Sequence, residues 1–550
     1  MRSGMIDRIA AGALGVCLLT GPSANAGPLP ERVEKAAQER IAAGICQTLL
    51  FGVVDGDKRA VVAFGKLDDG TTPDGDTVYE IGSITKTFTA TLLAQAVLSG
   101  GLTLETPVSR LLPDFNIPSH GDKEITLGDL ATQHSGLPRL PANLLPRDAA
   151  NPYADYDAAK LKAFLASYAL TRDPGAAYEY SNLGFGLLGY ALAQTQHTTY
   201  DAAIDETILT PLRMTMSGTG LTDAMRAHLA PGHDQNGAAA KNWDLDALSG
   251  AGAVRSTAND MLRYLRANMG DAPAPLLAAM KLAQAPRSDM NKTMHVGLAW
   301  ITTPNGIVWH NGETGGYHSF LGFTADRRRG VVILSNTAVN FDDLGFAMLD
   351  ADAPLAPTRK AVALPDATLD QYVGTYKLTD QVQLDVFRTG NGLFVQATGQ
   401  TPVAIFPFAP DAFFAKLPGV SISFTRDAKD AVDGLVLHQN GDHPAPRTIA
   451  LERPKRPEIA LDVATLGEYV GQYKFDFGAL LDVALKGDHL EAQLTAQPTF
   501  PIFATAKDKF FYKIVDAQLD FERDASGRVA GLVLHQGGRN MHAPRMPIQR

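Results

Sequence analysis

Cysteine is nearly missing from this chain: there are two in 550 residues, Cys17 and Cys46. Removal of an export signal would leave Cys46 alone, and one cysteine cannot close an internal disulfide. No cluster of cysteine and histidine has zinc-ligand spacing, so neither a metal nor a cofactor is expected. Basic residues are also short, 49 Lys and Arg against 59 Asp and Glu, for a net charge of −10. With no basic run, that balance argues against nucleic acid as a partner. Beyond the N-terminus no apolar stretch is long enough for a stable membrane span.

The N-terminus itself has the pattern of a cleavable export signal. Arg2 and Arg8 give a positive start, Ile9 to Leu19 a short apolar run, and Ala24-Asn25-Ala26 a small-x-small cleavage site. Residues 1–26 are therefore expected to be removed, placing the mature protein in a periplasm or outside the cell. Lipid attachment at Cys17 is disfavoured because Val16 is bulky and Leu18-Leu19 continue the apolar run.

Two strand-like runs, Leu49–Asp55 and Arg59–Gly65, predict a hairpin turning at Gly56-Asp57-Lys58. Phe88, Leu92, Leu93, Ala96 and Val97 then follow at helical spacing. Thr126 with Asp129 predicts a capped helix start that ends by Ser135-Gly136-Leu137-Pro138. A proline-rich excursion from Pro138 to Pro152 is read as a loop over a cleft. Helices are expected over Asp157–Tyr168, after Asn182 and after Ser256, with Ser249–Ala253 as a tight loop. Val296–Ile301, Ile307–Asn311, Phe320–Phe323 and Val331–Leu334 read as strands, the first two joined at Pro304-Asn305-Gly306. Terminal strands around a helical middle predict an α+β domain, helices packed on an antiparallel sheet, over residues 27–352.

Residues 353–368 read as a linker. Beyond it the chain repeats at an offset of 97 residues: Tyr372, Gly374 and Tyr376 recur as Tyr469, Gly471 and Tyr473. Phe413-Phe414 recurs as Phe510-Phe511, Arg426-Asp427 as Arg523-Asp524, and Gly434 to Gln439 as Gly531 to Gln536. Short alternating strands with turn residues predict two small antiparallel β-barrels, residues 369–452 and 459–550, joined through Arg453–Pro457.

The chemistry centres on Ser83 and Lys86. They are three residues apart at a predicted helix start, so both side chains share a face and the amine can reach the hydroxyl. A serine needs such a base to become a nucleophile, and the helix N-terminus offers free N–H groups to an oxyanion. Tyr180 and Asn182 form the chain's one Tyr-x-Asn; the phenol can relay a proton and the amide can bind a substrate carbonyl. His310-Asn311-Gly312 lies at a predicted strand end. That edge can dock an amide substrate through its backbone, and the Glu313 N–H can join Ser83 N–H at the oxyanion. Two other His-x-Gly matches, at His295 and His535, sit at a strand start and at a repeated barrel position and are given structural roles.

Ser-x-x-Lys, Tyr-x-Asn and His-x-Gly in this order resemble the penicillin-recognising serine hydrolases, in the branch of class C β-lactamases, low-molecular-weight penicillin-binding proteins and D-aminopeptidases. The resemblance covers about residues 30 to 350. It implies a β-lactamase/transpeptidase-like domain, Ser83 as acylated nucleophile, Lys86 and Tyr180 sharing acid–base work, His310 as a further catalytic residue, and Asn182, Asn311, Gly312 and Glu313 binding substrate. Which of Lys86 and Tyr180 is the base stays open. Histidine stands where class C β-lactamases carry lysine, which weakens the case for anionic β-lactams. The expected activity is that of an exported D-alanyl-D-alanine carboxypeptidase or endopeptidase acting on peptidoglycan-derived peptides. β-Lactamase, D-aminopeptidase and esterase activities are the alternatives on the same site. A non-catalytic binding protein is the reading from another class.

Overall fold

The computed structural model describes residues 29–379, 382–389, 392–398, 402–416, 420–439, 441–448, 457–475, 480–494, 500–512, 517–536 and 539–546. The expected export signal with Cys17, and residues 453–456 of the link between the repeats, lie outside them.

The first domain is built on an eight-stranded antiparallel sheet. Its strands are β1 (Thr48–Asp55), β2 (Lys58–Gly65), β3 (Ser288–Asp289), β4 (His295–Val296), β5 (Ile301–Thr302), β6 (Val308–Glu313), β7 (His318–Phe323) and β8 (Arg329–Ser335). Their order across the sheet is β2-β1-β8-β7-β6-β5-β4-β3, so the two ends of the domain meet where β1 pairs with β8. Side chains alternate across a strand. Leu49, Phe51, Val331 and Ile333 enter a core under helices α1 (Glu31–Ala42) and α6 (Asp342–Leu349). Leu50, Val332 and Leu334 enter the larger core on the other face. That core holds α2 (Thr85–Leu98), α3 (Asn182–Thr195), α4 (Ala258–Met269) and α5 (Ala274–Gln284).

Helix α2 is the hub. Its spacing predicts a helix, but the structure buries every residue from Thr85 to Ala94, polar ones included. Burial of its threonines is offset because their hydroxyls are bonded: Thr87 donates to Ile84 O at 2.7 Å, and Thr89 to Gly250 O at 2.8 Å. Two other expectations need correction. Ser249–Gly252 is a helical turn, not a loop, because Gly250 packs straight onto Gly189 of α3. A Cβ on Gly189 would lie 2.8 Å from Gly250 Cα, so only glycine permits this approach. Val296–Ile301 is not one strand: Gly297–Trp300 turns back, with Ala299 at φ 64°, and separates β4 from β5.

The linker residues end in a short helix, Asp366–Leu369, and two eight-stranded antiparallel sheets follow. Each curls until one bridge joins its ends, Tyr376 to Arg447 in the first and Tyr473 to Arg545 in the second. The repeated words are the internal fastenings. Tyr372 donates to Asp411 at 3.0 Å, and Arg426 donates to the same carboxylate at 2.8 Å. Tyr469, Asp508 and Arg523 repeat the arrangement. The Tyr rings stand over Phe413 with Phe424, and over Phe510 with Phe521. His438 and His535 bond across hairpins to Asp442 and Asn540, as a structural role requires. Asp411→Asn keeps a residue that tolerates the left-handed backbone there (φ 59°) but removes the charge. It should cost the first barrel about 1.5 kcal/mol. Native-state hydrogen exchange will read this as faster opening of the first barrel's amides, with the second barrel unchanged.

Candidate active site

Ser83 lies in a single 3-10 turn, Gly82–Ile84, that runs directly into α2. The turn keeps Ser83 off the regular helix and aims its side chain out of the core. One turn on, Lys86 has no exposed surface at all. Its Nζ stands 2.9 Å from Ser83 Oγ, 2.9 Å from Asn182 Oδ1 and 2.7 Å from Ala251 O. Burial, and then the positive field of Arg139, push the Lys86 amine well below its usual pKa. A neutral amine has two N–H groups and one lone pair. Asn182 Oδ1 and Ala251 O only accept, so they take both N–H groups. The lone pair is left for the Ser83 hydroxyl, the arrangement a general base needs.

Tyr180 precedes Ser181, whose hydroxyl caps α3 by accepting from Gly184 N at 2.8 Å. Its phenol is close enough to the Ser83 side chain to interact with it, and burial raises its pKa, so it stays protonated. Lys86 Nζ lies 4.9 Å from the centre of the ring and the Arg139 guanidinium carbon 5.2 Å from it. Asn182, with Tyr153, Trp243 and Glu313, lines a recess of about 20 Å³ beside Ser83, room for about one water.

The third motif is on β6. A Cβ on Gly312 would lie 2.0 Å from Ile81 O and 2.8 Å from Ser83 N. Gly82, at φ 49°, would place a Cβ 2.6 Å from Glu313 N. Two glycines therefore let β6 run against the backbone of the serine turn. Thr314 N–H bonds Tyr317 O at the end of the β6–β7 hairpin. Hydrogen-bonded and open pairs alternate along an antiparallel ladder, so Glu313 turns its N–H away from β7 and toward Gly82-Ser83. Ser83 N–H and Glu313 N–H can thus serve one oxyanion.

Alternation also divides the motif's side chains. His310 is 2% exposed and lies on the Gly312 face, toward Lys86. Burial, then Lys86, lower its pKa to about 4 against the opposing pull of Asn311 and Asp342. Its Nδ1 is 2.5 Å from Asn311 O. A carbonyl only accepts, so Nδ1 carries the proton and Nε2 is an acceptor. Asn311 was expected among the substrate-binding side chains, and the structure does not bring it there. It points to the opposite face, where Nδ2 donates to Asp342 at 2.6 Å.

That opposite face holds residues the sequence did not single out. His318 is buried between Asp342, 2.9 Å from Nε2, and Glu313, 3.2 Å from Nδ1. Glu80, two residues before Gly82, is buried against Arg255 at 3.4 Å and accepts from Trp243 N at 2.9 Å, which fixes Trp243 beside Ser83. Arg139 is exposed: its carbonyl accepts from Asn182 N at 3.0 Å, and its guanidinium has no hydrogen bond or ion pair among the described residues. Two of the missed residues had a signal: Arg139 directly follows Ser135–Pro138, and Tyr153 directly follows the proline-rich excursion.

For His318, burial disfavours the charge, but hydrogen bonds and charges from Asp342 and Glu313 outweigh it and raise the pKa to about 9. A folded pKa above the unfolded one gives stability that is complete below about pH 6.5 and lost as pH rises through the folded value. Denaturation midpoints of the wild type should therefore fall between about pH 6.5 and pH 9, and His318→Gln should flatten that fall. An unchanged slope in the variant would show that His318 does not hold β6.

Comparison with known proteins agrees with this geometry. The beta-lactamase family profile matches residues 33–353. A domain of unknown function, DUF3471, matches twice, at 358–448 and 455–545, with the spacing of the internal repeat. The chain is similar to penicillin-binding protein 4* of Bacillus subtilis (strain 168), 25% identical over 409 residues, 66% of this chain and 86% of the relative. It is also similar to the D-alanyl-D-alanine-carboxypeptidase/endopeptidase AmpH of Escherichia coli (strain K12), 28% identical over 335 residues, 56% and 85% of the two chains. Among solved structures, a class C beta lactamase from Rhodobacter sphaeroides aligns with 58% of this chain and 97% of its own, at 25% identity and a TM-score of 0.51. The family match spans more than half the sequence, and this protein belongs to the beta-lactamase family of serine hydrolases.

Proposed function

We propose that this protein is an exported D-alanyl-D-alanine carboxypeptidase or endopeptidase of peptidoglycan-derived peptides, acting through an acyl-enzyme on Ser83. The observation that carries the reading is Lys86: buried, held by two acceptors, and aimed at Ser83 Oγ 2.9 Å away. Lys86 takes the serine proton as Ser83 Oγ attacks the scissile carbonyl. The oxyanion forms between the Ser83 and Glu313 N–H groups, where one donor is worth about 3 kcal/mol of barrier. Tyr180, protonated and in contact with Ser83, gives its proton to the leaving amine and is reprotonated from Lys86. Water then attacks the ester by the same route in reverse and releases the acid. This assigns the base to Lys86 and the relay to Tyr180. His310 stays neutral and accepts at Nε2, orienting the polar groups around Lys86.

The substrate class is supported by what the relatives are named for, D-alanyl-D-alanine carboxypeptidase/endopeptidase and penicillin-binding protein. The N-terminal pattern of residues 1–26 supports a place outside the cytoplasm. A neutral His310 leaves no fixed cation at the third motif, which disfavours efficient turnover of anionic β-lactams relative to peptides. The unpaired cation at the mouth is Arg139, and we assign it the free carboxylate of the peptide.

Intact mass spectrometry after incubation with a penicillin should give a persistent adduct on the wild type and none on Ser83→Ala. Consumption of the penicillin without an adduct would make the protein a β-lactamase. An untouched penicillin would move the reading to D-aminopeptidase or esterase substrates, or to a binding protein if those also fail.

Arg139→Gln should lower kcat/KM for peptides with a free C-terminal carboxylate by about tenfold and leave C-terminally amidated peptides nearly unchanged. Arg139 depresses the Lys86 pKa, so its removal should also move the acid limb of the pH–rate profile upward. Equal losses on both peptides with an unmoved limb would remove Arg139 from recognition.

A further inference from the structure

A cavity much roomier than the recess at Ser83 lies elsewhere on the hydrolase domain. It lies on the seam between that domain and the first barrel, with a volume of about 220 Å³. The end of α1 with Cys46, the Val339–Asp343 stretch entering α6, the linker from Ala356 to Arg359 and the barrel face that includes Phe414 to Lys416 all line it. Lys416 crosses the seam to donate to Gly44 O at 3.1 Å, and Val362 N donates to Pro407 O at 2.8 Å, tying the linker to the barrel.

The charges on its wall do not balance. Asp343 is spent on Arg40, at 2.9 Å, and on Ala356 N, at 2.8 Å. His438 is bonded to Asp442 and Ser423. Arg359 and Lys416 have no carboxylate at ion-pair distance among the described residues; Asp234 reaches Lys416 only through its field. Both cations are held in place by aromatic rings. Arg359 Cζ lies 4.7 Å over Phe408, Lys416 Nζ lies 5.0 Å over Phe406, and both rings pack against Phe414, at 6.2 and 5.7 Å. Phe414 thus ties the two ring–cation pairs together, and Arg359, Lys416, Phe414 and Phe341 all line the same cavity. The one thiol in the wall, Cys46, is raised to about 12 by burial and is inert packing.

We propose that this seam cavity is a second ligand site, separate from Ser83, for a small organic carboxylate with an apolar or aromatic body. The anionic head lies between Arg359 and Lys416 and the body lies on Phe414 and Phe341. Two cations fixed on aromatic faces beside apolar surface complement such an amphiphile, whereas a neutral or cationic molecule leaves both charges unanswered.

Isothermal titration of the full chain with phenylacetate tests this, with phenylacetamide as the uncharged control. Phenylacetate should bind at one saturable site, and phenylacetamide about tenfold more weakly or not at all. Arg359→Gln with Lys416→Gln should weaken phenylacetate about tenfold, while Arg139→Gln, at the other site, should leave it unchanged. If the double variant melts well below the wild type, each single variant decides instead, with an expected loss of about threefold. Equal binding of acid and amide, loss of binding in Arg139→Gln, unchanged binding in the Arg359 and Lys416 variants, or no saturable binding would overturn the proposal.

Discussion

A lysine with no exposed surface and, among the described residues, no carboxylate within ion-pair distance is the constraint around which this domain is arranged. Burying an unpaired ammonium is too costly, so the amine gives up its proton instead. That outcome is useful only if its remaining N–H groups are satisfied and its lone pair has a single target. Asn182 and Ala251 meet the first requirement and Ser83 the second. Each partner comes from a different element, so α2, α3 and the Ser249–Gly252 turn must converge within hydrogen-bond reach. The glycine contact between Gly189 and Gly250 follows from this geometry, as does the burial of α2 on every side.

The strand that closes the site separates charge by face. On the Gly312 face, Lys86, Tyr180 and His310 are all held in their neutral forms by burial. On the other face, a protonated His318 lies between two carboxylates. Backbone N–H dipoles, not a neighbouring ion, are therefore left to stabilise negative charge arising at the substrate. Such dipoles act only when correctly placed, which explains why the charged cluster behind β6 matters. It grips the Glu313 side chain while the Glu313 N–H faces forward. The same one-residue alternation turns Asn311 away from the substrate side: next to His310 in sequence, it is on the wrong face of the strand.

Much of this was legible in the chain. Local rules placed the β1–β2 hairpin, the capped helix start at Thr126, the helices beginning near Asp157, Asn182 and Ser256, and the barrel repeat. They also brought Ser83, Lys86, Tyr180 and Asn182 together through their motif spacing. The misses share one cause, in that they depend on contacts between segments distant in sequence. Nothing local says that Ser249–Ala253 is helical, since its glycines are explained only by α3 beneath them. His318 looks like any strand histidine until Asp342 and Glu313 close on it. Arg139 reads as a surface charge, and only the folded chain sets it over the Tyr180 ring. Glu80 and Arg255, 175 residues apart, pair only once their two short strands meet.

The two barrels share their internal fastening and differ in what they touch. Tyr–Asp–Arg networks recur at each copy's opening turn because each small barrel must secure its own ends. The cluster of Phe406, Phe408 and Phe414 belongs to a barrel set against the hydrolase domain. Across that seam lies Asn340, which donates to Asp342 at 3.0 Å. Asp342 also accepts from Asn311 and bonds His318, the groups that hold β6 from behind. One carboxylate thus belongs both to the support of the Glu313 strand and to the segment lining the interdomain cavity. A shift of the Val339–Asp343 segment would have to break or stretch that shared contact before it could leave β6 undisturbed. The barrel's seat and the position of the proposed oxyanion donor are therefore mechanically joined through Asp342, over a path of two hydrogen bonds.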